Sequence, residues 1–350
     1  MVAGTWQLTI LGLASFLVNC YVPMTVPMTT MTTLTKGENK MGFLKKLFSR
    51  KNSVNAGTGN ETISFSDSFH KIAANSIELQ FDKADLEQIL KGSSKFGGKP
   101  DLPENFQWPY FEGINFDGER KNRPLSFILQ INCTEMKQYD TDNKLPDKGM
   151  LYFFYELSTM TWGMSPDDKG SSKVYYFDID ATNLKEKDFP KDMENEYKLL
   201  EMRVSCHSKK DLPDYAEFDR YDYDIKRMRR YMDEKEDFLG LGKDYDGNIS
   251  KLLGYANLIQ GDLLFRCEGV SNGYVYYSDF EKLEARTRKK IEDASSEWTL
   301  LLQLQSVESI NANDFELVFG SGGGRIYYYI KKEDLKNKKF ENVHLILECT

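Results

Sequence analysis

The chain predicts an α+β fold built by internal duplication, with mainly antiparallel sheets in two pseudo-symmetric halves and helices at the periphery. Three observations predict it. An apolar run ending in glutamine, Phe127-Ile-Leu-Gln130-Ile-Asn132, recurs as Leu300-Leu-Leu-Gln303-Leu-Gln305. A glycine-led aromatic strand follows each, Gly149-Met-Leu-Tyr-Phe-Phe-Tyr155 and Gly324-Arg-Ile-Tyr-Tyr-Tyr-Ile330. The spacings, 173 residues from Gln130 to Gln303 and 175 from Gly149 to Gly324, differ by a small loop change. The lead-ins also echo, as Lys95-Phe-Gly-Gly98-Lys-Pro-Asp-Leu102 and Lys251-Leu-Leu-Gly254-Tyr-Ala-Asn-Leu258.

Residues 1–40 read apart from the rest. Leu8 to Val18 is apolar, the size of a signal-peptide core, and Cys20 follows it as in a lipoprotein signal. Against that, no Lys or Arg precedes the run, and Asn19 stands where a small residue is expected. Met41-Gly-Phe-Leu-Lys-Lys-Leu-Phe48 reads as a second beginning, which makes 1–40 an upstream extension, with an export signal as the alternative. Phe43, Leu44, Leu47 and Phe48 share one helical face among basic residues, the pattern of a membrane-surface contact or of a solvated N-terminus. A polar linker completes the segment 41–62.

A folded domain is expected over 63–349. Ser64 to Leu90 is predicted as helix from its spacing of Ile72, Ile77, Leu79, Phe81, Leu86, Ile89 and Leu90, with Gly92 as the stop. Lys95 to Pro109 is a proline-punctuated loop. Strands follow at Leu125–Asn132, Met150–Leu157 and Lys173–Asp178. The repeat halves run over about 92–180 and 248–349, joined by a charged connector, 181–247. In the connector, Tyr221 to Leu239 is an amphipathic helix with Ile225, Met228, Met232 and Phe238 as its apolar stripe, and Met202–Cys206 is a strand. The second half adds a helix at Ser278–Glu292, a strand at Trp298–Gln305, a hairpin at Phe315–Ile330 and a strand at His344–Glu348. A cleft between the halves is the default ligand site.

Composition narrows the chemistry. A net charge of −8 argues against nucleic acid and favours a protein partner. Twenty Tyr and 22 Phe, many in consecutive runs, fit a β-rich core. No segment reaches bilayer-spanning length, so stable membrane insertion is not expected. Five scattered Cys without a CxxC pair, with three His, assemble no metal site, and no cofactor motif is present. Gly320-Ser-Gly-Gly-Gly-Arg325 lacks the Lys-Ser/Thr end of a phosphate loop and precedes a strand, which makes it a hairpin turn. Asp244-Tyr-Asp246-Gly-Asn248 has Ile249 and Tyr255 where a calcium loop needs Gly and Glu. Cys206 and His207, adjacent in a strand, point to opposite faces and form no dyad.

Gln130 and Gln303 each end an otherwise apolar strand, where a buried amide without partners costs about 1–3 kcal/mol. Each either ties its strand to a loop backbone or contributes to a site. Trp108, before Pro109, either plugs the core or lines a cleft.

Six segments in order resemble the YwqG-like family, bacterial proteins that carry a domain of unknown function. They are Lys95–Pro103 with Trp108-Pro109, Pro124–Gln130, Leu145-Pro with Gly149–Phe154, Leu253-Gly-Tyr-Ala with Ile259-Gln-Gly-Asp262, Trp298–Gln303, and Gly324–Ile330 with Asp334-Leu. The resemblance covers about 63–349. It implies a cytoplasmic, duplicated α+β protein with no established activity, and, from toxin-type gene neighbourhoods of relatives, an immunity-like partner-binding role. One departure stands out: Gly320-Ser321-Gly322 replaces the Gly-Asp usual before the last hairpin glycine, which puts in doubt any contact that aspartate makes. The candidate ligand- or partner-binding set is Trp108, Gln130, Gln260, Asp262, Gln303 and Arg325. The first functional reading is a non-catalytic binding protein. The alternative is an enzyme using Asp262 or another carboxylate beside Gln130 and Gln303, in a cleft between the repeats. Localisation is expected to be cytoplasmic, or exported or lipid-anchored if residues 1–20 are a signal.

Overall fold

Ten strands, several of them continuous buried runs, join into one large antiparallel sheet. The structure, a computed structural model, describes residues 64–82, 89–115, 118–220, 224–242, 247–307, 317–320 and 323–349. The readings of residues 1–62, of most of the calcium-like loop and of Ser321-Gly322 lie outside them.

Helix α1 (Ser66–Ile72) leads into β1 (Ala74–Asp82). Short strands β2 (Lys95–Phe96) and β3 (Asp101–Pro103) precede a ribbon of β4 (Tyr110–Ile114) and β5 (Arg120–Pro124). Next come β6 (Ser126–Asn132), α2 (Cys133–Met136), β7 (Met150–Tyr155), β8 (Ser172–Phe177), β9 (Leu184–Glu186) and β10 (Met202–Asp211). Helices α3 (Tyr215–Phe218) and α4 (Ile225–Leu239) lead to β11 (Ser250–Leu253) and then α5 (Leu263–Ser271), α6 (Tyr276–Asp279) and α7 (Ala285–Ser295). The described chain closes with β12 (Trp298–Gln305), β13 (Arg325–Lys331), α8 (Lys332–Lys336) and β14 (His344–Glu348).

The sheet order is β14-β13-β12-β11-β1-β10-β2-β6-β7-β8, so β1 and β10 stand between two four-strand groups. That centre departs from expectation twice. The helix expected over Ser64–Leu90 stops at Ile72, and Ala74–Asp82 is strand, because Ile77, Leu79 and Phe81 alternate with the period of a strand. The charged connector, expected to run between the halves, supplies β10, which pairs with β1 from Ala74↔Asp211 to Asp82↔Arg203. Pairing carries β10 past Cys206 to Asp211 despite its polar composition.

The sheet curls until its faces meet. Phe153 and Tyr328 pack edge to face at 5.3 Å, and the Tyr328 hydroxyl donates to the Phe154 carbonyl at 3.1 Å. The interior holds Ile77, Phe96, Leu129, Leu302 and Ile326. The expected cleft between the halves is therefore a continuous sheet over a packed core. The β14 edge is covered by the loop after β7: the Leu347 N–H donates to the Trp162 carbonyl at 3.1 Å, and His344 Nε2 to that of Gly163 at 2.9 Å. A second cluster, including Phe106, Phe111, Phe127 and Phe154, covers the outer face of one group, and a third, including Leu263, Trp298 and Tyr329, covers the other.

Helix α4 begins at Asp224, whose carboxylate accepts the N–H groups of Lys226 and Arg227, and ends at Gly240 in the left-handed conformation. Its inward face keeps one member of the predicted stripe, Phe238, whose ring packs on Phe69 at 5.5 Å, and turns the other three outward. Tyr231 is buried against Phe65 and Phe69, with its hydroxyl donating to the Pro213 carbonyl at 2.7 Å, while Ile225, Met228 and Met232 are 56, 40 and 37% exposed. One tyrosine ring with a bonded hydroxyl outweighs three aliphatic side chains in choosing the face. The helix expected over Ser278–Glu292 breaks into α6 and α7, because Phe280 turns inward onto Phe265 and Tyr276. Helix α5, not expected, fits beneath it, as Gly269 leaves room for the Phe280 ring. No helix among the described residues is long and apolar enough to cross a membrane.

Candidate functional site

Lys95 stands opposite Gln130 across β2 and β6, and Lys251 stands opposite Gln303 across β11 and β12. Both glutamines are fully buried. Gln130 accepts from the Asp101 N–H at 2.9 Å and donates to the Ser93 carbonyl at 2.7 Å and to Asp101 Oδ2 at 2.9 Å. Gln303 accepts from the Asn257 N–H at 2.8 Å and donates to the Ile249 carbonyl at 2.8 Å and to Asn257 Oδ1 at 3.2 Å. The lysines are ion-paired, Lys95 with Glu201 at 3.0 Å and Lys251 with Asp211 at 2.8 Å. With both ends of each amide bonded, the glutamines clamp loops onto strands. Along the sheet they are five strand steps apart, about 24 Å at roughly 4.8 Å a step.

Three other predicted residues sit near Gln303. Arg325 opens β13 and is buried, with all three guanidinium nitrogens bonded: Nε to Gln305 Oε1, Nη1 to the Asn257 carbonyl at 2.6 Å, and Nη2 to Asn248 Oδ1 at 2.7 Å. Gln260 is exposed, and its amide donates to the Cys349 carbonyl. Its backbone N–H and that of Ile259 are held by Glu348 Oε2, while Glu348 Oε1 pairs with Arg266 at 3.1 Å. Asp262 caps α5 through the N–H groups of Leu264 and Phe265 and pairs with Arg220 at 3.1 Å. Burial raises the Asp262 carboxyl above the usual range, with the two arginines opposing it. Trp108 lies on the other group, its indole N–H bonded to the Leu125 carbonyl at 2.8 Å and its ring on Phe154 and Phe189. The structure thus links Gln303 and Arg325 through Asn257, carries Gln260 and Asp262 on the loop that follows Asn257, and leaves Gln130 and Trp108 on the other strand group.

Two features escaped the sequence reading. The first is Glu217 on α3, whose Oε1 is sealed from solvent with no hydrogen-bond partner among the described residues. Burial, then the nearby Asp214 and Asp262 carboxylates, push it up to about 8. The second is a cleft of about 80 Å³ lined by Lys121, Arg123, Ser126, Glu156, Asp192, Glu194 and Tyr197 among others. Arg123 is only 7% exposed and lies 3.3 Å from Glu156 through Nε, yet neither Nη atom meets an acceptor among the described residues. In sequence Arg123 is one of the run Arg120-Lys-Asn-Arg123, which reads as a solvated face; only the β4–β5 ribbon singles out its last member for burial.

The thiols among the described residues offer no nucleophile. Cys133, Cys206, Cys267 and Cys349 are buried and free, and burial pushes Cys133 and Cys206 up to about 12. Among the described residues no three His, Cys, Asp or Glu side chains group as metal ligands would.

No curated protein matches the chain. The family described as a domain of unknown function, DUF1963, matches over residues 94–349, from the loop that Gln130 clamps to the end of β14. A match over that much of the length places the chain in a family: it belongs to DUF1963.

Proposed function

We propose that this chain is a non-catalytic binding protein of the YwqG-like kind, a duplicated scaffold that presents α4 to a protein partner. The observation that carries it is the stripe of Ile225, Met228 and Met232, three large apolar side chains spaced three and four residues apart and open to solvent. Exposed Lys226 and Arg229 flank the stripe toward its start, and Asp233 and Glu236 toward its end. Such a face fits a partner helix with its own apolar stripe, laid antiparallel so that its acidic end meets Lys226 and Arg229. The duplication is supported by the matched clamps of Gln130 and Gln303 and by the ordering of the two strand groups around β1 and β10. In this reading Trp108, Gln130, Gln260, Asp262, Gln303 and Arg325 brace the scaffold.

The test is photo-crosslinking in the native cell from a reactive group placed at Met228. One defined heterologous adduct, lost with Met232→Glu, is the expected result. A self-adduct only, with a dimer by sedimentation, or no adduct at all, overturns the reading.

A second reading, the enzyme, is favoured by Glu217. A carboxyl still protonated near neutral pH, beside Asp262 and Arg220, has the properties of a general acid–base. It requires α3 to open. Carbodiimide labelling of Glu217 in the native protein supports that opening; full protection removes it.

A further inference from the structure

We propose that Glu217 is a proton latch: its uncharged carboxyl seats α3, and loss of the proton frees α3 together with α4, the partner surface inferred above. What the latch controls rests on that reading of α4; the latch itself does not. Helix α3 spans four residues at the turn from β10 to α4. The rings of Tyr215 and Phe218 lie on Tyr231 of α4 at 5.2 and 4.6 Å. Just before them, the Pro213 carbonyl accepts from the Tyr231 hydroxyl at 2.7 Å and from Lys235 Nζ at 3.1 Å, and Asp214 pairs with Lys235 at 2.9 Å. The seat of α4 is thus built on α3 and its leading residues. The N–H groups of Glu217, Phe218 and Asp219 bond within that segment, to the Asp214 and Tyr215 carbonyls, so α3 can leave without breaking a sheet ladder.

The Glu217 Oε1 atom is sealed from solvent, and no described residue bonds to it. The groups around it offer an anion no partner. Asp214 precedes it on the same segment and Asp262 faces it from the cap of α5, and both oppose a further negative charge. The two cations already have carboxylates: Arg220 pairs with Asp262 at 3.1 Å, and Lys251 of β11 with Asp211 at 2.8 Å. Two nearby hydroxyls point elsewhere, Tyr231 to Pro213 and Tyr255 to the Ile72 carbonyl at 2.6 Å. Cys267 of α5 and Tyr329 of β13, both buried, complete the ionisable surroundings. A neutral carboxyl is tolerated in such a place, whereas an anion faces two carboxylates without a donor to hold it. Burial and those carboxylates accordingly hold the proton up to about 8. Once α3 opens, water solvates the carboxylate and the group returns to its ordinary value of 4.5. Each pH unit between those two values therefore favours the open form by about tenfold, and above the higher one the effect is complete.

Amide hydrogen exchange of the full chain without a partner tests the latch, with rates corrected for the intrinsic effect of pH. The amides of Phe218, Asp219 and Met228 report on α3 and α4, and those of Leu302 and Tyr328 on the sheet. The helix amides should exchange ahead of the sheet amides. Their protection should fall about tenfold per pH unit from about 5 to about 8, then level off. Glu217→Gln, which keeps a neutral group of nearly the same shape, should remove that slope. Asp262→Asn keeps an α5 cap, takes away one opposing charge, and should move the levelling-off to lower pH. Helices and sheet exchanging together at every pH, no slope in the wild-type helices, an unchanged slope in Glu217→Gln or an unmoved break in Asp262→Asn overturns the latch. The photo-crosslink from Met228 separates this inference from the reading of α4. Sloped exchange without any adduct keeps the latch and removes the partner surface. An adduct with helix exchange that ignores pH keeps the surface and removes the latch.

Discussion

Gln130 and Asp101 hold each other from both sides: the Asp101 N–H donates to Gln130 Oε1 at 2.9 Å, and the Gln130 amide donates back to Asp101 Oδ2 at 2.9 Å. Gln303 and Asn257 are joined in the same double fashion. The difference between a carboxylate and an amide partner makes the two clamps separable. Replacing either glutamine by Ala strands buried backbone groups and should destabilise by about 2–4 kcal/mol in urea unfolding. Gln130→Glu sets a second carboxylate against Asp101, whereas Gln303→Glu meets an Asn257 amide that can turn to donate. The Gln130→Glu loss should be clearly the larger, and equal losses would refute this account of the clamps.

The orientation of α4 is tested by comparing its two faces. Tyr231→Ala empties the cluster around Phe65 and Phe69 and leaves the Pro213 carbonyl to Lys235 alone, at a cost of about 3–5 kcal/mol. Met228→Ser on the exposed stripe should stay within about 0.5 kcal/mol. A reversed ranking in thermal unfolding would put the wrong face inward.

Stability should fall on both sides of a pH optimum, for two identified reasons. Glu217 is raised from 4.5 to about 8, chiefly by burial, so the folded state keeps a proton that the unfolded chain has lost. Its contribution is therefore complete below pH 4.5 and is lost as pH rises through 8. His344 is lowered from 6.5 to about 4 by burial, partly offset by its bond to the Gly163 carbonyl. The unfolded chain protonates it first, so its contribution is present above 6.5 and is lost as pH falls toward 4. Between pH 4.5 and 6.5 the two slopes offset each other, so Glu217→Gln should flatten the decline above 6.5 and let the acid decline begin near 6.5 instead of near 4.5. Melting temperatures across that range decide it, and an unaltered alkaline slope would remove Glu217 as the cause.

Closure of the sheet rests on a backbone approach at Gly163. Its φ is +69°, and a Cβ there would run into the Leu345 carbonyl. Gly163→Ala should cost about 2–4 kcal/mol, from the left-handed backbone and the overlap together. Gly240 has a similar φ of +64° with open space around it, so Gly240→Ala should cost only about 1–2 kcal/mol. Hydrogen exchange at Leu347 should quicken in the first variant alone.

Much of the strand content was legible because it lies where apolar residues run consecutively or alternate. β6, β7, β8, β12 and β14 fall within two residues of their predicted limits at either end. The errors have two sources. β1 carries a strand period in Ile77, Leu79 and Phe81 that was read as helical spacing, and β10 beyond Cys206 takes its strand character from pairing with β1, which its local pattern does not encode. The face of α4 failed for a similar reason, as Tyr231 acquires its value only where Phe65, Phe69 and Pro213 converge. At the candidate sites, the sequence picked out polar residues that interrupt apolar strands. All six, Trp108, Gln130, Gln260, Asp262, Gln303 and Arg325, have polar side-chain groups bonded or ion-paired to other segments.

By itself the sequence determined that an apolar strand twice carries a glutamine near its end, that each is followed by an aromatic strand, and that the chain is mixed α and β. Those are local facts, since the period of burial and the price of a lone amide act within a few residues. Tertiary structure alone decided which polar groups are satisfied. Gln130 and Gln303 found loop backbones and are spent; Arg123, from an ordinary basic run, was folded inward beside a carboxylate already occupied. Hydrogen-bond satisfaction depends on segments far apart in the chain, Gln130 with Asp101 and Arg123 with Glu156, and so it exists only after folding.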